Sequence, residues 1–163
     1  MPDLKDNTVA ANLSVRERLA EHRANAACAS CHAQIDPPGF ALESFDVIGG
    51  WRDFYRTRGR GQPISIDGRK MSYLKGPTVD GSGELGDGSR FQNIDEFKQL
   101  LLRDKDQIAR SLTRTVSTYA TGGAPEAADH SEIDAIVARV RGKNYGFRTL
   151  VHEIVQSRLF REK

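Results

Sequence analysis

The stretch ACASCHAQIDPPGF, Ala27–Phe40, places Cys28, Cys31 and His32 at the spacing Cys-x-x-Cys-His. The chain has 163 residues and only these two cysteines. Two cysteines so close in sequence do not make a disulfide framework and indicate chemistry at one local site. Three kinds of site use such a motif: a structural zinc site, a redox-active dithiol, and the covalent attachment of haem.

Ligand number and sequence context distinguish these three interpretations. A structural zinc site needs four ligands, but the chain has no second Cys or His pair, and His22, His130 and His152 are scattered. A redox dithiol usually begins a helix after a strand, whereas here a predicted helix precedes the motif and two prolines follow it. Haem attachment needs two thiols for the two vinyl groups and an imidazole next in sequence, and the motif supplies all three.

The favoured prediction is therefore one haem c per chain. Cys28 and Cys31 are expected to form the thioether bonds, and His32 is expected to be the proximal iron ligand. Zinc binding and dithiol chemistry stay open as the less favoured alternatives.

Two residues are the main candidates for the sixth ligand of the iron. Met71 is the only methionine apart from Met1 and lies in a predicted polar loop, where its thioether can face the iron and raise the potential. His22 lies on the apolar face of a predicted helix, so it can instead be a core histidine or, with Arg23 beside it, a partner of a haem propionate. A peripheral His152 and an open sixth position are the other options.

Composition and charge argue against several functional classes. The net charge is +2, so we expect no nucleic-acid partner and no attraction to anionic lipid. No apolar run approaches the roughly 20 residues that span a bilayer, so no transmembrane segment is expected in this chain. The first residues, MPDLKDNTVAANLSV, lack the basic and apolar regions of an export signal.

The pattern along the chain predicts a mostly α protein. Residues 1–13 are predicted to be a flexible segment, and residues 14–163 a single domain with a haem-attachment half, 14–92, and a helical half, 93–163. A helix is expected to begin at the capping box of Ser14 and to end at the two prolines of DPPGF.

The middle of the chain is predicted to be a glycine-rich excursion, irregular over residues 53–79, with a hairpin turn at Asp87-Gly88. Beyond it, four apolar stripes at helical spacing predict extra C-terminal helices. The stripes are Ile94, Phe97, Leu100 and Leu101; Ile108, Leu112, Val116 and Tyr119; Ile133, Ile136, Val137 and Val140; and Phe147, Leu150, Val151, Ile154 and Val155.

The sequence from Leu13 onward resembles a family of multidomain proteins. The similarity lies in the segments VRERLAEHRANAACASCHAQIDPPGFALESFDVIGGWR, FKQLLL, YATG and FRTLVHEIVQSRLF, and in single positions between them. Those positions are Val79-Asp80, Gly83, Asp87-Gly88 and Phe91. On these residues the chain is similar to the C-terminal cytochrome region, DUF1588 and DUF1585, of large secreted proteins of planctomycete type.

The resemblance implies that the chain is the tail of a larger extracytoplasmic protein, in the periplasm or an equivalent compartment. It implies electron transfer with a redox partner protein or with neighbouring domains of the parent protein. The family pattern includes the histidine at His22 and has no fixed methionine at Met71.

The overall prediction is a monohaem c-type cytochrome domain with a class I cytochrome c-like helical core around one covalent haem, and we expect Fe(III)/Fe(II) cycling rather than enzymatic turnover. One alternative is a haem enzyme or ligand-binding domain with an open sixth site, of peroxidase or sensor type. Another is an interaction module that binds zinc in place of haem.

Overall fold

The computed structural model describes residues 13–162, which form two compact units divided between Lys98 and Gln99. We call these the N-terminal unit and the C-terminal unit. Roughly half of the described residues are helical, which confirms the mostly α prediction. In this part of the chain, no helix has the length and apolar character needed to cross a membrane.

Two of the predicted boundaries are not tested by these units. Residues 1–12 of the predicted flexible segment lie outside the described residues. The prediction that residues 14–163 form one domain, with halves meeting between residues 92 and 93, stays a prediction.

The N-terminal unit consists of two helices followed by five strands, and a third helix spans the boundary between the units. Their bounds are α1 Val15–Arg23, α2 Ala26–Ala41, β1 Phe54–Thr57, β2 Gln62–Ile66, β3 Arg69–Thr78, β4 Gly83–Glu84, β5 Arg90–Phe91 and α3 Ile94–Leu101. Helix α2 packs against α1 and against β4.

The predicted capping box at the start of α1 is confirmed. The Ser14 hydroxyl accepts a hydrogen bond from the backbone N–H of Glu17, and the Glu17 carboxylate accepts one from the N–H of Ser14. The helix then stops before the motif, because Asn25 has extended backbone angles and its side chain accepts a hydrogen bond from the N–H of Ala27. The motif therefore lies on a new helix, which Asn25 caps.

The prediction that the prolines of DPPGF end the helix is wrong, because α2 continues through Pro37 and Pro38 to Ala41. A proline has a helix-compatible φ angle and removes only one backbone donor, so its cost can be offset by packing. Here the last turn of the helix is held in place by Phe40 and Ala41, which are 3% and 1% exposed. The backbone N–H of Leu42 closes that turn on the carbonyl of Gly39.

The segment predicted to be irregular, residues 53–79, contains a three-stranded antiparallel sheet in the order β1-β3-β2. Its hairpin between β2 and β3 turns on Asp67 and Gly68, which both have positive φ angles, as a tight two-residue turn requires. The second predicted hairpin is confirmed: β4 and β5 pair antiparallel across a turn that contains Asp87-Gly88, where Gly88 has a φ of 83°.

The C-terminal unit is a helical bundle. Its helices are α4 Lys105–Thr121, α5 His130–Arg141, α6 Phe147–Gln156 and α7 Arg158–Arg161, with a short 3-10 turn at Ala127–Asp129. The stripe predicted for α5 is confirmed, since all four of its residues are at most 2% exposed. Leu150 and Ile154 of α6 complete the same core.

The stripe predicted for α4 is wrong in part. Leu112 and Tyr119 are exposed, and the helix instead buries the small residues Ala109, Thr113 and Ser117. These residues recur every four positions and so lie on one face, which lets α4 approach α5 closely. The Thr113 hydroxyl is satisfied inside the helix, since it donates to the Ala109 carbonyl at 2.7 Å.

Candidate functional site

The two cysteines and the histidine of the motif lie on one face of α2. Cys31 and His32 follow Cys28 by three and four residues, which are the spacings of neighbours on a helix surface. Both thiols are free, Cys31 is exposed and Cys28 is half-buried. The helix thus presents two accessible nucleophilic sulfurs next to one imidazole.

Cys28 is the third residue of α2, so the motif lies at the beginning of a helix. A helix precedes the motif and two prolines follow it, as predicted, but the motif begins a second helix and the prolines do not end that helix. The beginning of a helix is also where redox dithiols lie. Since α1 rather than a strand precedes the motif, only half of the dithiol context is present.

The imidazole of His32 is held by a buried carboxylate. Its Nδ1 lies 2.8 Å from Oδ1 of Asp36, one helical turn further along α2. The Asp36 side chain is only 4% exposed. Because an ionised carboxylate only accepts hydrogen bonds, a neutral His32 beside it carries its proton on Nδ1 and has the free lone pair on Nε2. This is the tautomer that a metal ligand bound through Nε2 requires.

The second oxygen of Asp36 faces a cation from the preceding helix. Oδ2 lies 3.5 Å from Nε of Arg23, the last residue of α1, and has no hydrogen bond of good geometry. The ion pair connects the end of α1 to the middle of α2. The sequence predicts Arg23 only as a neighbour of His22, and it predicts no separate role for Asp36.

His22 lies directly against His32. Their ring centroids are 4.7 Å apart, and the ring planes meet at 67° in an edge-to-face contact. Two imidazoles on opposite faces of one iron hold their centroids about 6 Å apart, because each metal–nitrogen bond is about 2 Å long and the rings point away from each other. In the arrangement described here, the two rings therefore touch without room for an iron between them.

Met71 is not in the loop that the sequence predicted. It is half-buried on strand β3, which pairs with β1 and β2, in the same compact unit as the motif. None of the hydrogen bonds and ring contacts of residues 13–162 connects Met71 to the motif. Its role as sixth ligand stays a prediction.

The other histidines lie in the C-terminal unit. His130 begins α5, where its Nε2 is 3.0 Å from a guanidinium nitrogen of Arg114, and His152 is exposed on α6, as expected. Within the described ranges, no group of three or more His, Cys, Asp or Glu side chains is placed to hold a metal ion. The four-ligand set of a structural zinc site is thus not assembled by these residues.

The N-terminal unit buries few apolar side chains for its size. Among the described residues it buries Phe40, Ala41, Phe91, Ile94 and Phe97. The smaller C-terminal unit buries Ala109, Ile133, Ile136, Val137, Val140, Leu150, Ile154 and Leu159. The N-terminal unit also leaves large apolar side chains exposed on and after α2, namely Ile35, Leu42, Val47, Ile48 and Trp51.

The residues of this site fit a covalently attached haem. The donor set consists of two free thiols and an imidazole whose Nε2 is left open by the Asp36 hydrogen bond. Ile35, one turn after Cys31, is an exposed apolar side chain that a flat apolar macrocycle would cover.

Two family models match the chain in succession. Residues 1–55 match the family described as "Protein of unknown function (DUF1588)", and residues 87–160 match "Protein of unknown function (DUF1585)". The two matches follow one another along the chain, and each covers less than half of it. This confirms the resemblance seen in the sequence, with the Cys-x-x-Cys-His motif in the DUF1588 region. The short name of the DUF1588 model, PSCyt3, indicates a cytochrome-related domain.

The sheet of β1, β2 and β3 lies mostly between the two matched regions, since the matches leave out residues 56–86. No curated protein and no solved structure matches the chain.

Sequence reasoning missed Asp36 as the hydrogen-bond partner of His32, although a signal was present. A carboxylate four residues after a histidine reaches the same side of a helix, and Asp36 stands at that spacing from His32. The signal was lost because the prolines that follow suggested that the helix had already ended.

Proposed function

We propose that the chain is a monohaem c-type cytochrome domain that transfers electrons. The observation that supports it best is the His32–Asp36 hydrogen bond, because it leaves Nε2 open on the helix face that presents both thiols. Cys28 and Cys31 would form the two thioether bonds, and His32 would be the proximal ligand. The haem, when bound, supplies one-electron Fe(III)/Fe(II) chemistry.

The residues of the chain would contribute attachment, orientation and shielding. The two thioethers would fix one haem edge to α2, while Asp36 holds the His32 ring in one tautomer and one orientation. The exposed apolar side chains around the end of α2 would shield the macrocycle from water. Burial of this kind would complete the small core of the N-terminal unit, in the manner of a class I cytochrome core.

The sixth ligand in this proposal is Met71, with His22 as the alternative. Met71 belongs to the same compact unit as the motif and is half-buried. His22 would have to leave its edge-to-face contact with His32 before an iron could lie between the two rings. Methionine ligation would also give the higher potential of the two.

The proposal places the domain in an extracytoplasmic compartment as part of a larger protein. Covalent attachment prevents loss of haem, which is useful where lost haem is not recovered. The electrons would pass to a redox partner protein or to neighbouring domains of the parent protein. The DUF1588 region contains the proposed attachment site, and the DUF1585 region supplies most of the helical bundle.

A second candidate function is that of a haem enzyme or ligand-binding domain with an open sixth position. One observation favours it: the buried carboxylate on Nδ1 of His32 makes the imidazole electron-rich. Electron-rich axial ligands favour O–O cleavage, as thiolate ligation does. A ferric spectrum of high-spin type that changes on addition of azide would support this candidate over electron transfer.

Mass spectrometry tests the attachment. The chain is exported in a host that attaches haem c, extracted with acidified acetone and weighed intact. We expect a mass increase of one haem that survives extraction, and no reactive thiol. Cys28→Ala and Cys31→Ala proteins should each lose one thioether, and the double variant should lose all covalent haem. A colourless chain with two reactive thiols would instead favour dithiol chemistry, and bound zinc would favour the zinc module.

A further inference from the structure

The side chains of Arg23, Asp36 and His32 contact one another in series, and His32 is the proposed proximal ligand. Oδ1 of Asp36 lies 2.8 Å from Nδ1 of His32, and Oδ2 of the same carboxylate lies 3.5 Å from Nε of Arg23. The carboxylate is 4% exposed, whereas the Arg23 side chain is 32% exposed and so keeps contact with solvent. The cation and the imidazole therefore compete for the negative charge of one buried group.

We infer that Asp36 and Arg23 set the reduction potential of the bound iron in opposite directions through His32. This inference rests on the proposed attachment of haem at Cys28, Cys31 and His32. Asp36 is a positioning residue, since it contacts the imidazole of His32 and acts through it. Arg23 acts one step further away, through the carboxylate.

The sign for Asp36 follows from electron donation. A carboxylate that accepts a hydrogen bond from Nδ1–H raises the basicity of the imidazole. The imidazole then donates electron density to the iron more strongly through Nε2. Stronger donation stabilises Fe(III), the more positively charged state, more than Fe(II). Asp36 therefore lowers the potential, and burial keeps its charge from being screened by water and salt.

The sign for Arg23 is the reverse. The guanidinium draws negative charge toward Oδ2, which weakens the hold of Oδ1 on the Nδ1 proton. Its own positive charge also disfavours Fe(III). Arg23 therefore raises the potential relative to a chain in which the carboxylate has no cationic partner.

Redox titration of holo-protein variants tests both signs. Asp36→Asn keeps an oxygen acceptor of the same size but removes the charge, so its midpoint potential should shift to more positive values. Arg23→Gln should shift the midpoint to more negative values. Arg23→Gln should shift the midpoint potential less in the Asp36→Asn background than in the wild type, because the carboxylate through which Arg23 acts is then gone.

Two exposed residues provide matched controls. Glu21→Gln removes a carboxylate from α1, and Arg69→Gln removes a guanidinium from β3. Both sites are exposed, so screening should keep their shifts smaller than those at Asp36 and Arg23.

Each outcome decides a different claim. Shifts of Asp36→Asn and Arg23→Gln in the same direction, or shifts no larger than those of the controls, would overturn the inference while the haem proposal stands. If the Asp36→Asn protein retains no haem, the midpoint potential of the Arg23→Gln protein tests the inference by itself. A positive shift of that potential, or no shift, would overturn the inference. Wild-type protein without covalent haem would overturn the proposed function and this inference together.

Discussion

The imidazole rings of His22 and His32 lie edge to face, with their centroids 4.7 Å apart, at the junction of α1 and α2. This contact places His22 beside the proposed proximal ligand rather than across an iron from it. Since Nδ1 of His32 also lies 2.8 Å from the carboxylate of Asp36, the imidazole contacts one aromatic ring and one buried carboxylate. The contact leads directly to a prediction about the sixth ligand.

Met71→Ala should convert the ferric spectrum from low-spin to high-spin and remove the far-red band of methionine ligation, because the iron would lose its thioether. His22→Ala should keep the low-spin spectrum, because His22 packs against the proximal ring. Absorption and electron paramagnetic resonance spectra of the two variants check this. Loss of the low-spin spectrum in His22→Ala alone would identify His22 as the sixth ligand and require its ring to turn away from His32.

A second prediction concerns stability at high pH. The Tyr55 hydroxyl donates a hydrogen bond to Oε2 of Glu43 at 2.7 Å. Burial, followed by this bond and the charge of Glu43, raises the pKa of Tyr55 from 10.0 to about 12. The folded chain thus holds this proton more tightly than the unfolded chain. Its contribution to stability is complete below pH 10 and is lost as the pH rises from 10 to about 12.

Urea unfolding of wild type and Tyr55→Phe at a series of alkaline pH values measures this contribution. The free energy of unfolding of the wild type should exceed that of the variant below pH 10, and the difference should shrink toward pH 12. Tyr119→Phe is the control, because the Tyr119 side chain is 91% exposed and its removal should not change the pH dependence. A difference that stays constant with pH would contradict the prediction.

The features that the sequence predicted correctly are those that depend on a few adjacent residues. The capping box at Ser14 and the turn at Asp87-Gly88 depend only on adjacent residues, so they form without help from distant packing partners. The alternation of apolar and polar residues on both sides of the Asp67-Gly68 turn is a signal for the sheet. The glycines and arginines around it obscure that signal.

The features that the sequence did not predict depend on packing partners distant in the chain. The buried face of α4 is decided by how closely α5 approaches, which selects Ala109 and Ser117 over the larger Leu112. The extent of α2 depends on burial of Phe40, which the prolines alone do not reveal. The ion pair of Arg23 and Asp36 exists because helix α1 ends beside the middle of α2. No rule of sequence spacing predicts such a contact between two helices.

A third prediction concerns acid stability of the C-terminal unit. The carboxylate of Asp106 on α4 accepts hydrogen bonds from the Arg141 guanidinium and, at 2.8 Å, from the Tyr145 hydroxyl. The Arg141 hydrogen bond, followed by that of Tyr145, lowers the pKa of Asp106 below 3.8. The stabilisation is thus complete above pH 3.8 and is lost as the pH falls below it.

Asp106→Asn should therefore lower the thermal midpoint at neutral pH, and the difference from wild type should vanish in strong acid. Circular dichroism melts at both pH values check this. Asp95→Asn is the control, since Asp95 is exposed on α3 and makes only an i,i+3 pair with Lys98. Equal effects of the two substitutions at neutral pH would show that the Asp106 network contributes nothing beyond an ordinary surface charge.

The last prediction concerns the close approach of two residues in the β4–β5 hairpin. A methyl group added to Gly83 would collide with the ring of Phe91, which is 1% exposed and packs on Phe97 with centroids 5.0 Å apart. Because that ring cannot move without disturbing the core, Gly83→Ala should lower the free energy of unfolding by about 1–3 kcal/mol. Gly86→Ala, in the same hairpin, meets nothing within 4 Å and should change it by less than about 1 kcal/mol.

Urea titrations of the two alanine variants compare these costs, and a third variant separates the collision from a backbone effect. If the Phe91 ring is what opposes the methyl group, Gly83→Ala should cost less in a Phe91→Leu background, where the side chain is smaller, than in the wild type. If the cost comes from the backbone of Gly83 itself, it should be the same in both backgrounds. Equal costs of Gly83→Ala and Gly86→Ala in the wild type would contradict the packing described for this hairpin, which contacts helix α2 through β4.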